Sequence, residues 1–234
     1  MAVNETCTMN IIAHIHTDFP TKFGIPRQSG LVPDLQGRIV FVPEYRNPDA
    51  LRGLEGYSHL WLIWHFSAAK RARWTPTVRP PRLGGNTKMG VFATRSPYRP
   101  NAIGLSSVKL EKIEKTPDLG TVLHVSGADL IDGTPIFDIK PYLAFTDSHP
   151  DARGGFAEEK RSYALEVDFP EPLLALIDER DRAPLCALLA EDPRPSYQDD
   201  PTRVYGMPYR RYDVQFTVAD GKLTVCDVLF PDPH

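Results

Sequence analysis

The sequence is poor in cysteine, and the little it has is scattered. Cys7, Cys186 and Cys226 are odd in number and far apart. That argues against a disulfide framework and against a CxxC metal site, and it favours a reducing, cytoplasmic setting. No apolar run approaches the roughly 20 residues of a membrane span, so no membrane partner is expected. The stretch MAVNETCTMNIIAHIHTD has no basic lead and no long apolar core, so no signal peptide is expected. No G-x-G-x-x-G occurs and no Gly-Lys-Ser/Thr, which sets aside a Rossmann dinucleotide site and a P-loop. The seven histidines are dispersed. They form no metal-ligand set, and spacing supports no Ser-His-Asp or Cys-His arrangement. No metal is expected.

The most informative absence is local. Between Lys70 and Leu110 there is no Asp or Glu, against nine Lys and Arg, although the whole chain carries a net charge of −3. Between Phe145 and Asp200 the balance reverses, with fourteen acids and six bases. Such asymmetry suits a basic working face with an acidic outrigger, or simply unevenly solvated charge. Within the basic stretch, Pro80-Pro81 favours polyproline II, which sets Arg79 and Arg82 on one side. Gly84-Gly85 allows a tight turn and close backbone approach. TRSPYRPN places Arg95 and Arg99 around Tyr98. Arginine forks suit phosphate and carboxylate, and a neighbouring aromatic suits a base. The plainer alternative is a proline-rich loop with solvated arginines.

What is present otherwise is ordinary for a globular protein of 234 residues, with 41% apolar and 24% charged positions. Strand-like runs fill the first 145 residues: NIIAHIHT, GRIVFVPEY ended by Pro43, HLWLIWHF, MGVFAT, IGLSSVKLEKIEK, TVLHVSGADLI and PIFDIKPYL. In NIIAHIHT, His14 and His16 share one face and read as a solvated pair. NPDALRGLEGYS is the one early helical candidate, capped by Asn47 or Asp49 and kept short by Gly53 and Gly56. Strand–turn–strand repetition with Pro and Gly punctuation suggests a barrel or sandwich. SHPDARGGFAEEKRS reads as a mobile linker. EPLLALIDERDRAPLCALLAED has helical spacing, with Pro184 near the start of a second helix. YRRYDVQFTVADGKLTVCDVLF reads as a hairpin turning at Asp220-Gly221. The expected organisation is therefore mainly β, with a barrel over residues 1–148 and a small α+β domain over 149–234. Trp61, Trp64 and Phe92 are expected in the core.

Five segments together carry a specific resemblance: FGIPRQSGLV, RGLEGYSHLWLI, TVRPPRLGGNTKMGVFATRSPYRPNAIGLS, DLIDGTPIFDIKPYL and DPRPSY. They resemble the TsaA-like or TrmO family, tRNA N6-methyltransferases acting on threonylcarbamoyl-adenosine at position 37, beside the anticodon. The resemblance covers essentially the whole chain. It implies a single-sheeted β-barrel, distinct from Rossmann-type methyltransferases, with a small C-terminal domain. It also implies a homodimer, with S-adenosylmethionine as methyl donor and tRNA as partner. By motif match, the donor-binding candidates are Pro26, Arg27 and Gln28, then Phe66 and Ser67. Arg95, Leu105 and the loop Asp129, Leu130, Ile131, Asp132, Gly133 and Thr134 complete them.

Methyl transfer from a sulfonium depends on in-line positioning of the nucleophile. A carboxylate aimed at the urea-like N6–H would help as charge moves. Asp132 and Asp138 are the candidate acceptors, with Arg95 beside them as a catalytic candidate. Asp132 has the alternative of merely closing an Asp-Gly turn. Asp138 has the alternative of pairing with Lys140 on the same strand face. Arg79, Arg82, Tyr98, Arg99 and Arg194 are the tRNA-contact candidates, and Trp74 and Phe92 join Tyr98 as possible stacking rings. Arg194, between two prolines, could equally dock the C-terminal part onto the barrel. Two other functions stay open at this point: a methyltransferase of the same fold acting on a small molecule, and a non-catalytic RNA-binding module.

Overall fold

The computed structural model describes residues 6–69, 74–80, 83, 87–160, 163–194 and 200–231. Five strands come first: β1 (Ala13–Thr17), β2 (Gln36–Phe41), β3 (His59–His65), β4 (Thr77–Val78) and β5 (Met89–Gly90). Then follow β6 (Ile103–Thr116), β7 (Gly120–Ser126), β8 (Thr134–Pro141) and β9 (Glu166–Asp168). The last are β10 (Tyr205–Tyr209), β11 (Tyr212–Ala219) and β12 (Lys222–Leu229). Helices α1 (Ala144–Asp147), α2 (Glu171–Leu174) and α3 (Glu179–Ala190) lie between β8 and β10.

Six strands close into an antiparallel barrel in the order β1-β2-β7-β6-β3-β8, with β8 returning to β1. The alternation seen in the sequence fixes which side chains point inward. Ala13 and Ile15, Ile39 and Phe41, and Leu60, Leu62 and Trp64 alternate on their strands and fill the interior. Trp61 falls on the other face. It is half-buried outside the barrel, where its Nε1–H donates to Asp147 Oδ2 at 2.8 Å. The expectation of a core Trp61 is thus corrected by its strand parity, while Trp64 is buried as expected.

A second sheet, β10-β11-β12-β9, is antiparallel except for the parallel β12–β9 pair. It packs against α3 over Leu185, Leu188 and Leu189. The β11–β12 turn is Asp220-Gly221, both at positive φ (49° and 77°), as a two-residue hairpin requires. This core also recruits Phe19, Val32 and Leu35 from the segment joining β1 to β2. Gly24 of that segment sits at φ +83°, where a Cβ would lie 2.7 Å from the Met207 side chain. Only glycine allows that backbone so near β10.

Local structure departs from expectation in four places. Residues 47–56 form 3-10 turns (Pro48–Leu51 and Leu54–Gly56), not a helix. Asn47 does cap the first, accepting from Asp49 N–H, but Gly53 at φ +87° ends it. MGVFAT is a strand only at Met89–Gly90 and then becomes a 3-10 turn, Val91–Ala93. That turn breaks the period-2 alternation and leaves Phe92 73% exposed instead of in the core. The linker-like segment contains a 3-10 helix at Gly155–Lys160. Pro184 lies inside α3 and not near a helix start. There it removes one N–H from the helix ladder.

Candidate active site

The interior at one end of β3 holds a chain of polar groups. Trp64 Nε1–H donates to Ser106 Oγ at 3.0 Å, and the Ser106 hydroxyl donates to Asp129 Oδ1 at 2.6 Å. The geometry depends on Gly104, which faces Trp64 across the β3–β6 ladder. A Cβ at that position would lie 2.2 Å from the indole ring. Phe66 packs on Trp64 with ring centroids 4.2 Å apart, and its N–H is fixed to Ala102 O at 2.9 Å. Burial pushes the Asp129 carboxyl above the ordinary carboxylate range. The Ser106 hydroxyl, the N–H groups of Asp129 and Ser29, and the nearby Arg95 charge pull it down by less.

The PRQ segment lines up beside this chain. Pro26 is buried, and Gln28 Oε1 accepts a short hydrogen bond from Arg95 Nη1. Ser29 Oγ accepts from Ser107 N–H at 3.2 Å. Arg27 Nη2 donates to the backbone oxygen of Asp192 at 3.1 Å. Hence Gln28, Arg95, Asp129 and the β3 end are brought together, although they come from four separate stretches of sequence.

The Asp129–Thr134 loop is pinned to β1. Thr17 Oγ1 donates to Leu130 O at 2.9 Å, and Thr134 Oγ1 donates to Ile131 O at 2.7 Å. Asp132 Oδ1 accepts from Thr17 N–H at 3.0 Å and from His16 Nδ1 at 3.1 Å. Asp132 itself is half-exposed. Asp138 is placed differently: it pairs across the ladder with Ile63, and its Oδ2 lies 2.9 Å from Lys140 Nζ. Leu105 is 56% exposed beside Ile103 on the same outer face, while Ser67 is exposed just past β3.

The arginines divide in the same way. Arg99 Nη1 donates to Thr94 O at 2.6 Å and so braces the Val91–Ala93 turn, with Tyr98 partly buried next to it. Arg79 is exposed. Arg82, Gly84 and Gly85 lie outside the described residues, as does the end of DPRPSY. Arg194 folds back, donating through Nε and Nη2 to the two oxygens of Asp192 at 2.8 and 3.0 Å. Tyr163 OH donates to the same carboxylate at 2.9 Å. Burial raises the Asp192 pKa, but these hydrogen bonds and the Arg194 charge together bring it below the ordinary value.

Three participants escaped the sequence reading: His16, Trp64 in its polar role, and Ser106. Each acts through a partner distant in sequence. Ser106 lies inside the quoted IGLS motif, which was the one available signal.

A family model described as tRNA-methyltransferase O N-terminal domain matches residues 14–148, and one described as TrmO C-terminal domain matches residues 162–230. The chain belongs to the TrmO family. It is 40% identical over 222 residues to the tRNA (adenine(37)-N6)-methyltransferase of Escherichia coli K12, spanning 92% of this chain and 94% of that one. It is 42% identical over 219 residues to a putative S-adenosylmethionine-dependent methyltransferase RcsF of Pseudomonas aeruginosa PAO1, spanning 90% and 92%. A crystal structure of TrmO from P. aeruginosa superposes with a TM-score of 0.76 at 35% identity, covering 97% of this chain and 98% of that chain. TrmO-family membership accounts for the barrel without a glycine fingerprint and for the second sheet.

Proposed function

We propose that this protein transfers a methyl group from S-adenosylmethionine to N6 of adenosine 37 of tRNA, in its threonylcarbamoyl form. The observation that carries the reading is the Trp64–Ser106–Asp129 chain, with Gln28 and Arg95 at its side, in a protein whose stretch from Lys70 to Leu110 is rich in bases and free of acids.

The residues fit a cationic donor. Asp129 is a partly buried carboxylate whose hydrogen-bond donors are a hydroxyl and N–H groups. Burying a charge is costly unless it is compensated, and a sulfonium or ammonium would compensate it. When bound, S-adenosylmethionine supplies an electrophilic methyl group on a positively charged sulfur. Pro26, Gln28, Phe66, Arg95, Leu105 and the Asp129–Thr134 loop would hold it. Phe66, held by its packing on Trp64, would offer aromatic surface, and Arg95 a fork for a carboxylate.

On the acceptor side, Asp132 is the better-placed base. Thr17 N–H and His16 Nδ1–H orient one of its oxygens, leaving a half-exposed carboxylate to accept from an N6–H. The Lys140 ion pair leaves Asp138 a positioning or interface role. Arg79 and Arg82 are assigned to tRNA phosphates, which position RNA without reading its sequence. Ile103, Leu105 and Phe145 expose 37%, 56% and 88% of their surface. We assign the outer face carrying Ile103 and Leu105 to a homodimer contact. The free thiols Cys7, Cys186 and Cys226 suit a cytoplasmic enzyme. The division of labour follows the two cores, with chemistry on residues 1–148 and support from 149–234.

The test is methyl transfer from labelled S-adenosylmethionine to total tRNA from cells with and without the threonylcarbamoyl modification, with nucleosides resolved by mass spectrometry. Incorporation only into the modified pool is expected. Incorporation into both pools would remove the threonylcarbamoyl requirement. Incorporation into neither, by folded protein that binds the donor, would favour a small-molecule acceptor. Asp132→Asn is expected to lower kcat, and Asp138→Asn to leave it within a few-fold.

A further inference from the structure

Phe92 is an apolar ring that stays largely exposed in the folded chain. It sits on the Val91–Ala93 turn, next to Val91, which is 1% exposed and anchored by its N–H to Pro76 O at 2.9 Å. The same anchor brings in Trp74, two residues before Pro76 and 51% exposed. The Trp74 and Phe92 rings lie 6.4 Å apart at 30°, and Phe92 is 73% exposed. The β4–β5 pairing, Thr77 with Gly90 and Val78 with Met89, holds both sides of the unit in register. Arg99, braced on Thr94 O, places its guanidinium carbon 5.9 Å from the Phe92 centroid. The rings are therefore presented by a fixed support, with the Arg99 guanidinium over the Phe92 ring.

We propose that Trp74 and Phe92 form an aromatic platform on which an unpaired nucleobase of the tRNA stacks. The proposal rests on the tRNA reading above and adds a subsite to it. Charge selects the occupant. The platform lies within the stretch from Lys70 to Leu110 that has nine bases and no acid. A flat aromatic ligand bearing negative charge meets both features, and single-stranded RNA supplies both through base and phosphate. Phe92 precedes by three residues Arg95, the arginine bonded to Gln28. A stacked base would thus be held beside the donor site, steadying the loop while the target adenine reaches the methyl group.

The experiment compares wild type with Phe92→Ala, Phe92→Leu, Phe92→Tyr and Trp74→Phe. Fluorescence anisotropy gives tRNA affinity across a salt series, calorimetry gives donor affinity, and ultracentrifugation gives the oligomeric state. Phe92→Ala is expected to weaken tRNA binding roughly 5- to 150-fold, the range for one stacked base. The donor affinity and the slope of log K against log salt should stay unchanged, since no charge is removed. Phe92→Tyr restores binding. Indole emission quenched by tRNA in wild type loses that quenching in Trp74→Phe. Unchanged affinity in Phe92→Ala, or full affinity in Phe92→Leu, overturns the platform while leaving the methyltransferase reading intact. Dissociation of the Phe92→Ala dimer into monomers overturns it in favour of a second copy covering the rings. A wild-type protein that binds no tRNA overturns both readings.

Discussion

Replacing Gly104 with alanine adds one methyl group where the Trp64 ring leaves no room for it. The new Cβ would stand 2.2, 2.4 and 2.6 Å from three atoms of the Trp64 indole. Backbone pairing on both sides of β3 resists movement of the strand, so the indole must rotate or shift. Overpacking of this kind costs about 1–3 kcal/mol. Displacing the indole also breaks its buried hydrogen bond to Ser106, at about 1–3 kcal/mol more. Removing a glycine from the unfolded chain returns roughly 0.4–1 kcal/mol. The net loss is about 1–5 kcal/mol. Urea denaturation followed by circular dichroism and indole fluorescence measures it, with Gly56→Ala as control. At Gly56 an added Cβ meets nothing within 4 Å. Because Ser106 would lose its donor and Asp129 would be re-oriented, donor binding should weaken in parallel. A Gly104→Ala protein within about 0.5 kcal/mol of wild type would mean that the strand moves freely, and the reasoning fails.

Two further outcomes follow from the charged groups. The folded pKa of Asp129 lies above its ordinary value of 3.8, so between the two the unfolded chain loses its proton first. Stability therefore falls as pH rises through that window, and Asp129→Asn should gain thermal stability relative to wild type at pH 7 compared with pH 3.5, while binding donor less well. A pH-independent difference in Tm refutes the assignment. Arg194→Ala strands the buried Asp192 carboxylate and should cost about 3 kcal/mol by chemical denaturation. Arg211→Ala, which removes an exposed pair with Asp178, should leave the midpoint nearly unmoved. Equal effects of the two substitutions would contradict the burial argument.

NIIAHIHT was legible because its period-2 alternation reports which face is buried, whereas HLWLIWHF, a continuous apolar run, marked a strand without telling its two faces apart, and Trp61 was assigned to the core. The Asp220-Gly221 turn was legible because few residue pairs tolerate two positive φ angles. The 47–56 segment was misread because capping and helical composition compete there with Pro48 and a left-handed Gly53. Phe92 was misread because a strand-like run changed its backbone period within two residues of its start. At the site, motifs identified Gln28, Arg95 and Asp129, but not what joins them. His16 meets Asp132 116 residues away, and Trp64 meets Ser106 42 residues away. Closure of the barrel creates both neighbourhoods, and no local pattern encodes them.

The segment between β1 and β2 ties the barrel to the second core. Its fixed points, Phe19, Val32 and Leu35, lodge in the second core, while between them Gln28 bonds to Arg95 of the barrel and Arg27 to the Asp192 oxygen. A chain severed after residue 148 would keep its staves, since every barrel pairing lies before the cut. It would lose the core in which Phe19, Val32 and Leu35 lodge, together with the Asp192 oxygen that receives Arg27. The barrel could then stand with its mouth slack. In that sense the far end of the chain works as the back of a clamp whose front is the Gln28–Arg95 pair.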